Sequence, residues 1–180
     1  MSLTYSGNLV DLINPGTLDV SKDMNDPYIC SKFEAVRACS IKQRGCIYEK
    51  ITQDIYTNLG HEVSERSSSY HDMVIDGRKC EVKGATLNKA SNYKKFTFNQ
   101  IRPDQDYDVI VFTLIFPDAV HILEMDKDIA YIHCADEVFV KQHGGKKGSG
   151  VCYCITASYN DLLELGANSV VKSDQTPSDS

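Results

Sequence analysis

Asp72, Glu81 and Lys83 stand in the stretch HDMVIDGRKCEVKG, residues 71–84, at spacings that could hold a cation and activate water. Asp76-Gly77 between two β-prone runs signals a hairpin, because a type I′ turn needs positive φ at both central residues. With that turn, Ile75 faces Arg78, Asp72 faces Glu81 and Tyr70 faces Lys83. Side chains alternate along a strand, so Glu81 and Lys83 share one face while Cys80 and Val82 share the other. Opposed residues have Cβ atoms about 4.5–5.5 Å apart, where like charges repel. A hard cation such as Mg²⁺ shared by Asp72 and Glu81 removes that repulsion. The plainer alternative is a solvated hairpin face with both acids in water, and a one-residue change in the turn would undo the pairing.

The charge around these residues is uneven. The 180-residue chain carries a formal net charge of −6, which argues weakly against nucleic acid. Yet between Arg78 and Arg102 seven basic residues (Arg78, Lys79, Lys83, Lys89, Lys94, Lys95 and Arg102) face a single acid, Glu81. A second basic group, Lys141 with Lys146 and Lys147, lies in and beside the glycine-rich HGGKKGSG, 143–150. Lysine runs usually just solvate a surface; here one of them begins at a candidate metal site.

The elements that must position these groups follow from caps and periodicity. Asp26-Pro27 reads as an N-cap and first helical residue, predicting a helix to about Ala38 with Ile29, Phe33 and Val36 inward. Ser40 and Gln43 form a capping-box pattern opening a second helix that ends at Leu59 before Gly60. Its apolar stripe is Ile47, Ile51, Ile55 and Leu59. A strand at 61–66 precedes the hairpin. YDVIVFTLIF, 107–116, is continuously apolar, as a strand buried on both faces must be. Val120–Met125 reads as a strand, Lys127–Val140 as a helix, Val151–Thr156 as a strand, and Ser158 caps a last helix ending before Gly166. No element is placed on 1–25. The expectation is one α/β domain over 1–166, a central mixed β-sheet flanked by helices, with a disordered tail at 167–180.

Seven cysteines without framework spacing fit reduced thiols in a cytoplasmic setting. Cys152 and Cys154 share a strand face, but without a second Cys/His pair at zinc spacing they read as small buried hydrophobes. The N-terminus lacks a signal-peptide pattern and no run is long enough for a membrane helix, so no membrane partner is expected.

The element order together with Asp72…Glu81-Val82-Lys83 resembles the PD-(D/E)XK nuclease superfamily, the fold of most type II restriction endonucleases. The resemblance spans roughly residues 40–125. It implies a metal held by Asp72, Glu81 and the backbone carbonyl of Val82, with Lys83 assisting the attacking water. It also implies a helix glutamate a turn after a glycine, which Gly45 and Glu49 in RGCIYEKITQDIYTNLG match. Glu49 lies opposite the apolar stripe of its helix and could face site or solvent. The proline that usually precedes the motif aspartate is His71 here.

FTFNQIRPDQDYDVIVFTLIFPDAVHILEM, 96–125, is similar to the segment that follows the E-x-K strand in such enzymes. Gln100 and Arg102, on a helix or turn there, could touch phosphate or the metal-bound water, or simply be surface polar residues. Lys89, Lys94, Lys95, Lys146 and Lys147 could neutralise phosphate, and His143 could read a base edge.

The function so implied is Mg²⁺-dependent hydrolysis of double-stranded DNA at a short palindromic sequence. A homodimer would carry it out, with a DNA methyltransferase as cognate partner. A nearby pair of carboxylates should keep Lys83 protonated, which favours an electrostatic role for it. Two alternatives stay open: a structure-directed repair or recombination nuclease of the same fold, and a non-catalytic DNA-binding module. A sequence-independent cutting pattern would mark the first, and intact DNA across several substrates and metals the second.

Overall fold

The computed structural model describes residues 25–65, 70–142 and 150–170. Two helices, α1 (Glu34–Ala38) and α2 (Ile41–Leu59), lead into β1 (Val63–Glu65), β2 (Met73–Ile75) and β3 (Arg78–Thr86). Then come β4 (Phe96–Ile101), β5 (Val109–Ile115), β6 (Val120–Asp126) and α3 (Lys127–Ala135). The described chain closes with β7 (Val140–Lys141), β8 (Tyr153–Ala157), α4 (Tyr159–Glu164) and β9 (Asn168–Ser169).

A six-stranded mixed sheet, in the order β1-β2-β3-β5-β6-β9, forms the centre, and β4-β8-β7 make a second, antiparallel sheet. The β3–β5 pair is parallel and the other central pairs are antiparallel. All seven residues of β5 are buried, as its unbroken apolar run requires.

One face of β3 and β5 is covered by α2, whose helix begins at the Ser40–Gln43 capping box and stops at Gly60 in the left-handed conformation. Ile47, Ile51 and Ile55 are buried, and Thr52 bonds to Thr113 of β5 at 2.6 Å. The opposite face carries the second sheet: Phe98 of β4 sits edge-on to Phe112 of β5, with ring centroids 4.8 Å apart. Lys83 pairs with Phe112 and Gly84 with Thr113. Glu81 and Lys83 therefore project on the second-sheet side, and Val82 and Gly84 on the α2 side.

Gly84 meets α2 closely. A Cβ built there would lie 2.0 Å from Tyr48 Cγ and 2.4 Å from Tyr48 Cβ, so only glycine lets the helix approach. The contact sets the height of α2 above the residues that follow Glu81.

Four elements differ from the sequence expectations. The first helix covers only Glu34–Ala38, because Cys30 adopts φ +60° and the Asp26 carboxylate caps a turn by accepting from Tyr28 N. Tyr28, rather than Ile29, is the buried residue of that turn, while Phe33 and Val36 are buried as expected. Gln100 lies on a strand, β4, rather than on a helix or turn, whereas Arg102 opens the turn that follows, its carbonyl accepting from Gln105 N at 3.2 Å. The helix expected over 127–140 ends at Ala135, and Val140–Lys141 pair with β8. Asn168–Ser169, assigned by sequence to the tail, form a strand on β6. None of the seven cysteines forms a disulfide. No helix among the described residues is long and apolar enough to cross a membrane.

Candidate active site

The hairpin ladder follows the expected register from Ile75↔Arg78 to Met73↔Cys80. One residue further it breaks. Asp72 N donates to Cys80 O at 2.9 Å, and Asp72 Oδ2 accepts from Val82 N at 2.8 Å. The carboxylate thus lies along the edge of β3 rather than squarely across from Glu81, and Tyr70 stands outside the ladder. Because β2 stops pairing at Cys80, residues 81–86 are laddered only to β5 among the described residues. A strand residue turns its N–H and C=O to the same edge, so the Val82 carbonyl also faces the open side.

Glu81 is 7% exposed, and its Oε1 accepts a 2.7 Å bond from Lys83 Nζ. Burial pushes the Glu81 carboxyl above the usual glutamate range; the Lys83 ammonium opposes that shift and the Asp72 charge adds to it. A buried carboxylate crowded by another acid is a site where added positive charge is stabilising.

The open edge borders a groove of about 720 Å³ whose lining includes Glu49, Asp72, Glu81, Val82, Lys83, Lys89 and Gln100. Glu49 thus faces the groove and not only bulk solvent. Lys94 and Lys95 lie outside that lining, and Lys95 pairs with Asp161 at 3.0 Å. Arg102 is also outside it, bonded through Nε to Cys152 Sγ at 3.2 Å, although its charge still reaches Glu81. His143, Lys146 and Lys147 fall outside the described residues.

Residues not singled out from sequence share the groove. Ile41, Arg44 and Tyr48 line it together with Gly45 and Glu49, at the i, i+3, i+4, i+7, i+8 spacing of one helix face. Gly45 and Glu49 already marked that face, and the same spacing extends it to the other three. Burial raises the Tyr48 hydroxyl above the usual tyrosine range, and the nearby Arg44 guanidinium opposes that shift. Asn99, beside Gln100, lines the groove too.

Among the described residues no cluster of three or more His, Cys, Asp or Glu side chains forms a ready-made metal cage. The donors present are Asp72, Glu81 and the Val82 carbonyl, with Glu49 lining the same groove. Two carboxylates and a carbonyl are all hard oxygens. Mg²⁺ characteristically binds through one or two carboxylates, completing its shell with water and substrate phosphate. The buried, charge-crowded Glu81 fits such an ion.

No protein-family model matches the chain, and no curated protein matches it. Among solved structures, the bacterial homing endonuclease I-Ssp6803I is similar, with a TM-score of 0.44 and 17% identity, over 66% of this chain and 75% of that one.

Proposed function

We propose that this protein is a divalent-cation-dependent endonuclease that hydrolyses DNA phosphodiester bonds. The observation carrying the proposal is the joining of Asp72, Val82, Glu81 and Lys83 at the open edge of β3 within one groove. An acid bonded to the E-x-K strand, beside a buried carboxylate–lysine pair, is an arrangement that a purely structural hairpin does not need.

Mg²⁺ is the ion we assign, with Asp72, Glu81 and the Val82 carbonyl as its protein ligands and Glu49 as a further carboxylate. When bound, such an ion polarises the phosphate and lowers the pKa of water. Lys83, tethered to Glu81 at 2.7 Å, points its remaining ammonium protons toward the attacking water and the phosphate oxygens, where negative charge grows. Water oxygen bonds to phosphorus and gives up one proton to solvent, the P–O3′ bond breaks, and the departing 3′-oxygen takes up a proton from solvent. Lys89 and Arg44 offset the charge of the adjoining backbone.

The target we assign is a short palindromic duplex sequence cut by a homodimer, since a two-fold protein matches a two-fold site. A DNA methyltransferase would protect the same sequence in the host. Both follow from the resemblance carried by Asp72, Glu81 and Lys83.

The test is incubation of the purified protein with unmethylated phage DNA in Mg²⁺ or EDTA, followed by sequencing of product ends. Discrete Mg²⁺-dependent fragments sharing one end sequence are expected. A smear would reject sequence specificity, and DNA left intact with every divalent cation would reject the nuclease itself.

A further inference from the structure

Strand β4 contains a fault that its own packing does not require. Phe98 pairs with Ile155 and Ile101 with Tyr153, so Asn99 and Gln100 together oppose the single residue Cys154. This is a β-bulge, a device that re-aims side chains next to functional sites. Regular alternation from buried Phe98 would expose Asn99, bury position 100 and expose Ile101. The extra residue instead leaves both Asn99 and Gln100 exposed and returns Ile101 to the core.

The bulge is held at a conformational cost. Gln100 adopts φ +58°, in the left-handed region that non-glycine residues seldom occupy. The Gln142 side chain pins it from the neighbouring segment: its Oε1 accepts from Gln100 N at 2.7 Å, and its Nε2 donates to Asn99 Oδ1 at 2.8 Å. The protein thus spends a buried strand position and a strained backbone to present two neighbouring amides in a fixed orientation. Both line the groove that also holds Asp72, Glu81 and Lys83.

A side-chain amide offers one acceptor and one donor side by side, the complement of adenine N6–H and N7 in the major groove. Resting on the nuclease assignment, we infer that the Asn99–Gln100 bulge is a base-reading element that selects an A·T pair near the cut. Gln100 makes the paired contact: its Oε1 accepts from adenine N6, and its Nε2 donates to N7. Asn99, its Oδ1 already bonded to Gln142, turns its Nδ2 donor to the same edge. Gln142 is a positioning residue.

The experiment uses the full chain and a library of duplexes with a randomised insert, read twice. One reading sequences duplexes retained by the protein in EDTA, and the other sequences ends produced in Mg²⁺. Wild type is expected to show an A·T pair at a fixed position, favoured by about 5- to 150-fold, the range of one good paired contact. Gln100→Ala should lose that preference while preferences at other positions persist. Gln100→Gly should lose it too and also melt a few degrees higher, because glycine accepts this φ without strain. Gln142→Glu, which keeps the acceptor for Gln100 N, should retain more of the preference than Gln142→Ala. Sequence-independent cutting by wild type, or an unchanged A·T preference in Gln100→Ala and Gln100→Gly, overturns the inference and leaves the nuclease assignment standing. An A·T preference in the retained pool without any cutting does the reverse. Neither retention nor cutting overturns both.

Discussion

Replacing Gly84 with alanine would drive α2 away from β3. The new methyl would sit 2.0 and 2.2 Å from the Tyr48 ring carbons and 2.4 Å from Tyr48 Cβ. Rotating the ring could relieve the first two contacts but not the third, since Cβ moves only with the helix backbone. Restoring an ordinary contact of at least 3.4 Å from 2.4 Å requires a displacement of about 1 Å. Overpacking of this kind costs about 1–3 kcal/mol, occasionally more. For a chain of this size that lowers Tm by about 2–12 °C. The same shift carries Arg44 and Glu49 away from Asp72 and Glu81. A misplacement of about 1 Å can cost about 100-fold in rate. The assay is thermal unfolding alongside single-turnover cleavage in Mg²⁺, for Gly84→Ala alone and combined with Tyr48→Ala. Tyr48→Ala keeps the Cβ and should fail to rescue cleavage. Wild-type melting and cleavage in Gly84→Ala would refute the argument, as would full rescue by Tyr48→Ala.

Other consequences are equally direct. Saturation with Mg²⁺ at about 100 times its Kd should add about 2.7 kcal/mol and raise Tm by about 5–10 °C, an increment absent in Asp72→Ala. Glu81 has a raised folded pKa, so the folded chain keeps a proton that the unfolded chain releases, and stability falls as pH rises from the ordinary glutamate range through that raised value. Glu81→Gln should therefore melt higher than wild type at about pH 7 without metal, the gain fading toward about pH 4, while cleavage is abolished; a gain independent of pH would contradict the assignment. Lys89→Ala should weaken duplex binding and reduce the slope of log K against log salt by about 0.9, one phosphate contact, in anisotropy titrations.

Local chemistry made much of this fold legible. Asp76-Gly77 sets the turn, and the ladder from Ile75↔Arg78 to Met73↔Cys80 follows from it. Ser40, Gln43 and Gly60 bracket α2 because they satisfy the orphan groups at its ends. The apolar run at 109–115 could only be an interior strand. What escaped detection depends on tertiary partners. Asp72 leaves the ladder because its carboxylate finds Val82 N, a competition invisible to a pairing rule. The alternation of β4 is broken by a bulge that Gln142, 42 residues away, helps hold, so the segment lost its strand signature. Asn168 and Ser169 carry no strand propensity of their own and pair because the edge of β6 is there to receive them. Lys95 and Arg102 look like phosphate ligands in a basic run, yet the fold binds one to Asp161 and the other to Cys152.

The central claim is that the Asp72–Glu81–Lys83 set cuts phosphodiester bonds in the presence of a divalent cation. The most direct measurement compares wild type with Lys83→Ala on one unmethylated DNA in Mg²⁺, with duplex binding followed in parallel in EDTA. The account expects cleavage by wild type alone, with binding retained in the variant. Equal cleavage by Lys83→Ala, or cleavage by wild type undiminished in EDTA, would contradict it.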